Sequence, residues 1–304
     1  MMKKTVALLL CLFLVLPFAA CSSANGGTDR ESAGNGGKIR VSVTFNAMKE
    51  FTQAVGKDKV EVTAIIPDGA EPHDFEPKAK DLAGLSSARV FVYNGSGMES
   101  WAEKAVKAVG NKNLIAVDAS KGIEPIQSGE TGENGQYDPH VWLSPKGAET
   151  EAQNIRDALV RADPSSAEAF RQNCAAFVSQ MESLHSEYVV KFQSAKSESF
   201  VTGHAAFAYL CRDFGLKQNS VEDVFAEGEP SAQKLAELVN YCKKNGVKTI
   251  FVEDMVSPEV SRTLASQVGA KVETIYTMES SENGKSYADR MKADLGEICA
   301  SLNG

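Results

Sequence analysis

The sequence lacks a surplus of basic residues, closely spaced cysteines and a histidine-rich segment. Its 32 Lys and Arg residues are outnumbered by 40 Asp and Glu residues, and the net charge of −8 at pH 7 argues against binding to nucleic acid or to anionic lipid headgroups. The six cysteines include no Cys-x-x-Cys pair, which argues against a cysteine zinc cage or a redox motif. Four cysteines follow residue 21, and we expect buried free thiols there, with one disulfide as the alternative: Cys174, Cys211, Cys242 and Cys299.

A long apolar run lies at the beginning of the chain. Within residues 1–20, two lysines precede an apolar stretch that is too short for a stable membrane span, and small residues follow it, which predicts an export signal. Cys21 comes directly after Ala20 in a segment that resembles the lipobox of bacterial lipoproteins, although Phe18 stands where Leu is usual. We therefore expect lipidation at Cys21. An ordinary secretory signal with an incidental cysteine is the alternative.

Residues 22–37 have the composition of a flexible tether. They contain no apolar residue larger than alanine, so they cannot build a core. A lipidated cysteine followed by such a tether predicts a protein held at the extracytoplasmic face of the cell membrane. Lys3 and Lys4 are the only charged residues of the signal, so the remaining chain has a net charge near −10, which mildly favours cations.

The rest of the chain is long enough for two lobes. Strand and helix patterns alternate through residues 38–117 and again through residues 199–276, as expected for parallel β-sheets. Between them, apolar residues at spacings of three and four predict one long amphipathic helix over residues 165–192. We therefore predict an α/β fold of two lobes with mostly parallel β-sheets, residues 38–164 and 193–304, joined by one long connecting α-helix.

Three of the only four histidines lie at junctions between predicted elements. His73 follows a strand, His140 lies in a turn between two prolines, and His204 leaves another strand, one histidine in each third of the fold. Ligands bind beyond the carboxyl ends of parallel strands, so these side chains are expected to converge on one ion. Three neutral imidazoles bind zinc well, and nitrogen ligands also suit other first-row divalent ions, so zinc is the first expectation. His185 is mid-helix and is expected to be a partly solvated side chain.

A fourth metal ligand is expected to be a carboxylate or water. The carboxylates near strand ends are Glu253, Asp254 and Glu279. The residues alone leave the choice between them open.

Five segments together resemble the metal-binding solute-binding lipoproteins of zinc and manganese ABC transporters. They occur in the order found in that family and span about the whole mature chain: residues 72–77 (PHDFEP), 138–142 (DPHVW), 203–209 (GHAAFAY), 228–231 (GEPS) and 250–253 (IFVE). The resemblance implies a periplasmic-binding-protein-like fold of the helical-backbone type that holds the ion between its lobes. It assigns His73 and His140 to the first lobe and His204, typical of zinc members, to the second.

The fourth position departs from the family pattern. The aspartate that many members have after the last strand corresponds in a plain register to Met278. Glu279 is adjacent and has a longer side chain, so we expect it to be the fourth ligand, with water as the alternative. The loop over residues 128–137 also lacks the histidines that many zinc members carry there.

The resemblance implies a monomeric carrier, not an enzyme, that captures zinc outside the cell and delivers it to a membrane ABC permease. The long helix predicts a small movement between the lobes. A zinc hydrolase is a weaker hypothesis, because the sequence has no His-Glu-x-x-His helix and no evident Ser/His/Asp arrangement. The sequence is also compatible with a manganese carrier and with a surface adhesin that contains a structural metal.

Overall fold

The computed structural model describes residues 37–128, 137–224, 230–253, 257–282 and 284–304. The predicted signal, the lipidation site Cys21 and the tether lie outside the described residues, as does Asp254. Residues 37–304 form one unit.

The first sheet is built from four short strands, two with alternating and two with continuous apolar residues. Its strands are β1 (Ile39–Val43), β2 (Val60–Ala64), β3 (Val90–Tyr93) and β4 (Ile115–Asp118), all parallel and in the order β2-β1-β3-β4. Such a sheet must be covered by helices on both faces. Val90 and Val92 accordingly pack on one face and Phe91 on the other.

The second sheet repeats this arrangement. Its strands are β5 (Ser199–Thr202), β6 (Lys217–Ser220), β7 (Thr249–Val252) and β8 (Lys271–Thr274), also parallel, in the order β6-β5-β7-β8. The order is therefore the same in both sheets. Strand β6 has no apolar residue and lies at an edge, where backbone pairing with β5 rather than burial of side chains holds it. The hydrophobic pattern gives no indication of this strand.

Eight helices are found in the described part of the chain: α1 (Asn46–Gly56), α2 (Ala102–Val109), α3 (Pro145–Ala162), α4 (Ala167–Gln193), α5 (Ala208–Phe214), α6 (Ala232–Asn245), α7 (Pro258–Val268) and α8 (Tyr287–Asn303). Helix α5 begins at Ala208, four residues after His204. The backbone N–H of Ala205 donates to the Asp223 carbonyl at 3.1 Å and that of Phe207 to the Gln218 side chain at 2.9 Å, so these residues hold a loop. A 3-10 turn, Ala83–Ser86, precedes β3.

Helix α4 confirms the predicted connecting helix. Its 27 residues span about 40 Å, and its apolar stripe is buried from Phe170 to Phe192. One continuous core includes this stripe, Val43 from the first sheet and Phe251 from the second. A wide opening between the lobes would expose that core to water, so the packing favours a small movement.

The four described cysteines are all free, as expected, and Cys174, Cys211 and Cys242 are buried. No helix within the described ranges combines the length and the apolarity needed to cross a membrane.

Gly147 in the first turn of α3 provides a test of the packing. A Cβ atom there would lie 2.0 Å from the backbone oxygen of Val141, which cannot easily move, whereas a Cβ at Gly296 in α8 would meet only the Tyr188 hydroxyl at 3.4 Å. We expect Gly147→Ala to lower the free energy of unfolding by roughly 1–3 kcal/mol. The matched Gly296→Ala should be neutral or stabilising by up to about 1 kcal/mol, because alanine favours a helix. Thermal denaturation of both variants tests this expectation. Equal melting temperatures would contradict the close contact between Gly147 and the Val141 backbone.

Candidate metal site

His140 is fixed in a buried turn by polar contacts on every side. The Asp138 carboxylate accepts the backbone N–H of His140 at 2.9 Å and lies 3.0 Å from its Nδ1 atom. The Asn94 side chain donates to the Pro139 carbonyl at 2.9 Å, and the Tyr209 hydroxyl donates to the Asp138 carbonyl at 2.9 Å. With Nδ1–H donating to Asp138, the lone pair of the ring is on Nε2, the atom that can bind a metal.

Ser144 and Pro145 explain why the turn that contains His140 ends before α3. A 3-10 turn over Val141–Leu143 follows His140, and the Ser144 hydroxyl then caps α3 by accepting the N–H of Lys146 at 3.2 Å. Pro145 is the first residue of the helix, a position that needs no backbone donor.

His204 follows β5 directly. The Thr202 hydroxyl and the Gln218 amide both donate to the His204 carbonyl, at 2.6 and 2.9 Å. Its backbone N–H donates to the Glu253 carboxylate at 3.2 Å. The imidazole is therefore held at the carboxyl edge of the second sheet, where it is only 2% exposed.

His73 lies in the loop that leaves β2. Its backbone N–H donates to the Glu71 side chain at 3.2 Å, and only 3% of the imidazole is exposed.

The three imidazoles converge through their Nε2 atoms. The Nε2 atom of His140 lies 3.1 Å from that of His73 and 3.3 Å from that of His204. A tetrahedral zinc ion with bonds of 2.0–2.1 Å to nitrogen requires its ligand atoms to be about 3.3–3.4 Å apart. With one carboxylate oxygen of Glu279, the ligand atoms of all four side chains lie within 4.8 Å of one another.

Glu279 is brought to this cluster by an unusual backbone conformation. The preceding residue, Met278, has a φ of 60°, in the left-handed region that residues other than glycine seldom adopt. Met278 thereby enters the core, fully buried, while the Glu279 side chain is directed to the histidines, 3.9 Å from His73 Nε2. Thr277 donates to one Glu279 oxygen at 2.9 Å, and the other oxygen has no hydrogen-bond partner among the described residues.

Three donors hold the backbone of this loop. The Trp142 indole donates to the Thr277 carbonyl at 2.7 Å, the N–H of Asn46 to the Glu279 carbonyl at 3.2 Å, and the buried Arg290 guanidinium to the Ser280 carbonyl at 2.8 Å. These contacts offset the cost of the strained residue. Trp142 belongs to the His140 turn, so two ligand-bearing segments are joined directly.

Burial determines the charge state of the cluster. It lowers the pKa of His73 and of His140 to about 3, and that of His204 well below its ordinary value, with the neighbouring histidines contributing for His73 and His204. The same burial raises the pKa of Glu279 well above its ordinary value. The imidazoles are therefore neutral at pH 7 and can donate lone pairs, which suits a soft or borderline divalent cation.

The other candidate residues lie apart from this convergence. Glu253 faces the opposite side of the His204 ring, with its Oε1 atom 3.7 Å from Nδ1. His185 is half-buried, as expected; its Nε2 atom lies 3.3 Å from the Asp213 carbonyl, and its ring stacks on Phe214. Sequence reasoning did not single out Asp138 as a partner of His140, although the two are only two residues apart.

Comparison with known proteins identifies the family of the chain. The family described as zinc-uptake complex component A, periplasmic (ZnuA), matches residues 41–300. The chain is 46% identical to a putative metal-binding protein of Treponema pallidum (strain Nichols), over 86% of each chain, and 37% identical to the high-affinity zinc uptake system protein ZnuA of Bacillus subtilis (strain 168), over 99% of each. A mutant structure of the laminin-binding adhesin Lmb from Streptococcus agalactiae has a TM-score of 0.82 at 35% identity and covers 87% of this chain and 99% of that one.

These likenesses extend over nearly the whole described part of the chain and include its fold. They confirm the resemblance that the histidine motifs indicated. The chain belongs to the family of zinc-uptake complex component A proteins, the solute-binding components of zinc transporters.

Proposed function

We propose that this protein captures one zinc ion between its two lobes and delivers it to a membrane ABC permease. The observation that carries the proposal is the convergence of three imidazole Nε2 atoms at 3.1 and 3.3 Å, beside the buried carboxylate of Glu279. His73 and His140 come from the first lobe and His204 and Glu279 from the second. Because zinc would bridge the lobes, its binding favours the closed form, and the permease can recognise the surface of that form.

The ligand set favours zinc over manganese. Three neutral nitrogen atoms and one carboxylate are typical zinc ligands, whereas manganese prefers a shell richer in oxygen and binds more weakly to most sites. Manganese is the competing ion against which the site is tested.

The proposed location of the protein in the cell rests on its first 37 residues. We propose that residues 1–20 are removed as a signal, that Cys21 is lipidated, and that residues 22–37 tether the protein to the extracytoplasmic face of the membrane. The lobes then comprise residues 38–164 and 193–304 around the helix of residues 165–192, and the protein acts as a monomer.

Adhesion is a second candidate function, favoured by the similarity to the laminin-binding adhesin. If zinc were only structural, its removal would unfold the protein. A carrier must instead stay folded without zinc. Hydrolysis is disfavoured, because Glu279, the available general base, lies among the proposed ligands.

Calorimetric titration of metal-stripped protein tests the site. We expect one zinc per chain, and at 100 times the dissociation constant zinc should add about 2.7 kcal/mol to the free energy of unfolding. His204→Ala removes a direct ligand and should weaken binding by more than the roughly 10–100-fold that loss of an outer partner costs. The matched control, His185→Ala, should bind like wild type. Unchanged affinity in His204→Ala, or unfolding of the stripped protein, would contradict the proposal.

The role of Glu279 is tested through proton release. Burial raises the pKa of Glu279 well above its ordinary value, so the zinc-free carboxyl binds a proton more readily than an exposed glutamate does, and zinc must displace such a proton in order to bind the carboxylate. The zinc-free state thus binds more protons, so affinity rises with pH. Titration at several pH values in buffers of different ionisation enthalpy should show fewer protons released by Glu279→Gln than by wild type.

A matched control is available on α3. Glu151 is buried, its pKa is also raised well above the ordinary value, and it lies outside the histidine cluster. Glu151→Gln should therefore release as many protons as wild type. If Glu279→Gln does so too, with undiminished affinity, water and not Glu279 occupies the fourth position.

A further inference from the structure

Each lobe places a buried carboxylate behind one proposed zinc ligand. In the first lobe, a single oxygen of Asp138 contacts both the backbone N–H and the Nδ1 atom of His140, at 2.9 and 3.0 Å. This contact fixes the tautomer and orientation of the ring.

The second lobe has the same components in an incomplete arrangement. Glu253 follows β7 as His204 follows β5, and β5 and β7 are neighbours in the sheet. The Oε1 atom of Glu253 accepts the backbone N–H of His204 at 3.2 Å but lies 3.7 Å from Nδ1, which is too far for a hydrogen bond. Both His204 Nδ1 and Glu253 Oε2 are buried and have no hydrogen-bond partner among the described residues.

Zinc binding through Nε2 requires the His204 proton to be on Nδ1, and Nδ1 is then an unpaired buried donor next to an unpaired buried acceptor. Such a pair is costly, and here a small rotation would join the two groups. If Oε1 keeps the backbone N–H of His204, turning the carboxylate about its last bond can bring Oε2 to Nδ1. The two oxygens of Glu253 would then each accept one N–H group of His204, whereas a single oxygen of Asp138 contacts both N–H groups of His140.

A direct bond from Glu253 to zinc does not fit the geometry. The carboxylate lies on the Nδ1 side of the ring, whereas the histidines converge through Nε2. Glu253 is also not among the side chains whose ligand atoms lie within 4.8 Å of one another.

We infer that Glu253 is the positioning residue for His204, and that in the zinc-loaded protein its carboxylate accepts a hydrogen bond from His204 Nδ1–H. The inference rests on the proposed zinc binding. A metal on Nε2 withdraws electron density from the ring and makes Nδ1–H a better donor, so the bond is stronger in the loaded state. The bond thereby contributes to zinc affinity and connects the ligand His204 to the ends of the two central strands, β5 and β7.

The test combines zinc affinity with a direct view of the ring protons. Glu253→Gln keeps the volume but replaces one acceptor oxygen with an NH2 donor, so the two N–H groups of His204 can no longer be accepted by separate oxygens. With a competing chelator, we expect zinc to bind Glu253→Gln roughly 10–100-fold more weakly than wild type. Asp138→Asn should act similarly through His140, and Glu151→Gln, a buried control outside the cluster, should have no effect.

Nitrogen-edited NMR of the zinc-loaded wild type should show slowly exchanging, downfield Nδ1 protons for both His140 and His204. Glu253→Gln should shift or remove only the His204 proton, and Asp138→Asn only the His140 proton. A merely structural role for Glu253 would not produce this selectivity.

The inference is overturned if zinc-loaded wild type lacks a protected His204 Nδ1 proton, an observation that needs no variant to fold. It is also overturned if Glu253→Gln binds zinc as wild type does and leaves that proton unchanged. Failure of wild type itself to bind zinc would instead reject the proposed function.

Discussion

The structure depends on one electrostatic constraint: three imidazole Nε2 atoms lie around the same small volume inside a buried site. The Nε2 atom of His140 lies 3.1 and 3.3 Å from those of His73 and His204, and burial keeps the rings neutral. When each ring carries its single proton on Nδ1, three Nε2 lone pairs face the same volume. Buried lone pairs that face one another repel, and only a cation between them turns the arrangement into an attractive one. The neutral histidines therefore leave the site without a positive charge, and the proposed zinc ion would supply it.

The surrounding protein holds these atoms in place through backbone contacts and buried polar side chains. Trp142 joins the His140 turn to the loop of Glu279, and Arg290 holds that same loop while it pairs with the carboxylates of Glu50 and Glu282. Beneath them, one apolar core passes from the first sheet through α4 to the second. Because that core is shared, binding and release of the ion must occur through small displacements of the ligand-bearing loops.

Much of this could be predicted from the sequence, for identifiable reasons. The strands of the sheets other than β6 are apolar or alternating, and the stripe of α4 has helical spacing, so the spacing of their apolar residues predicts them. Histidines at strand ends and between prolines also indicate a metal site. Strand β6 could not be found in this way, because four polar residues at a sheet edge are held by backbone pairing. The outer partner of His140 is its near neighbour Asp138, whereas Glu253 meets His204 only through the pairing of β5 with β7. The placement of Glu279 instead of Met278 depends on a left-handed residue that no composition rule indicates.

The central claim is that three imidazoles and a carboxylate bind one zinc ion, and X-ray absorption at the zinc edge of the loaded protein tests it most directly. We predict a four-coordinate shell with three imidazole nitrogens at about 2.0–2.1 Å and one oxygen at about 2.0–2.2 Å. A shell of sulfur at about 2.3 Å, or an oxygen-rich shell without the outer scattering of imidazole rings, would contradict it.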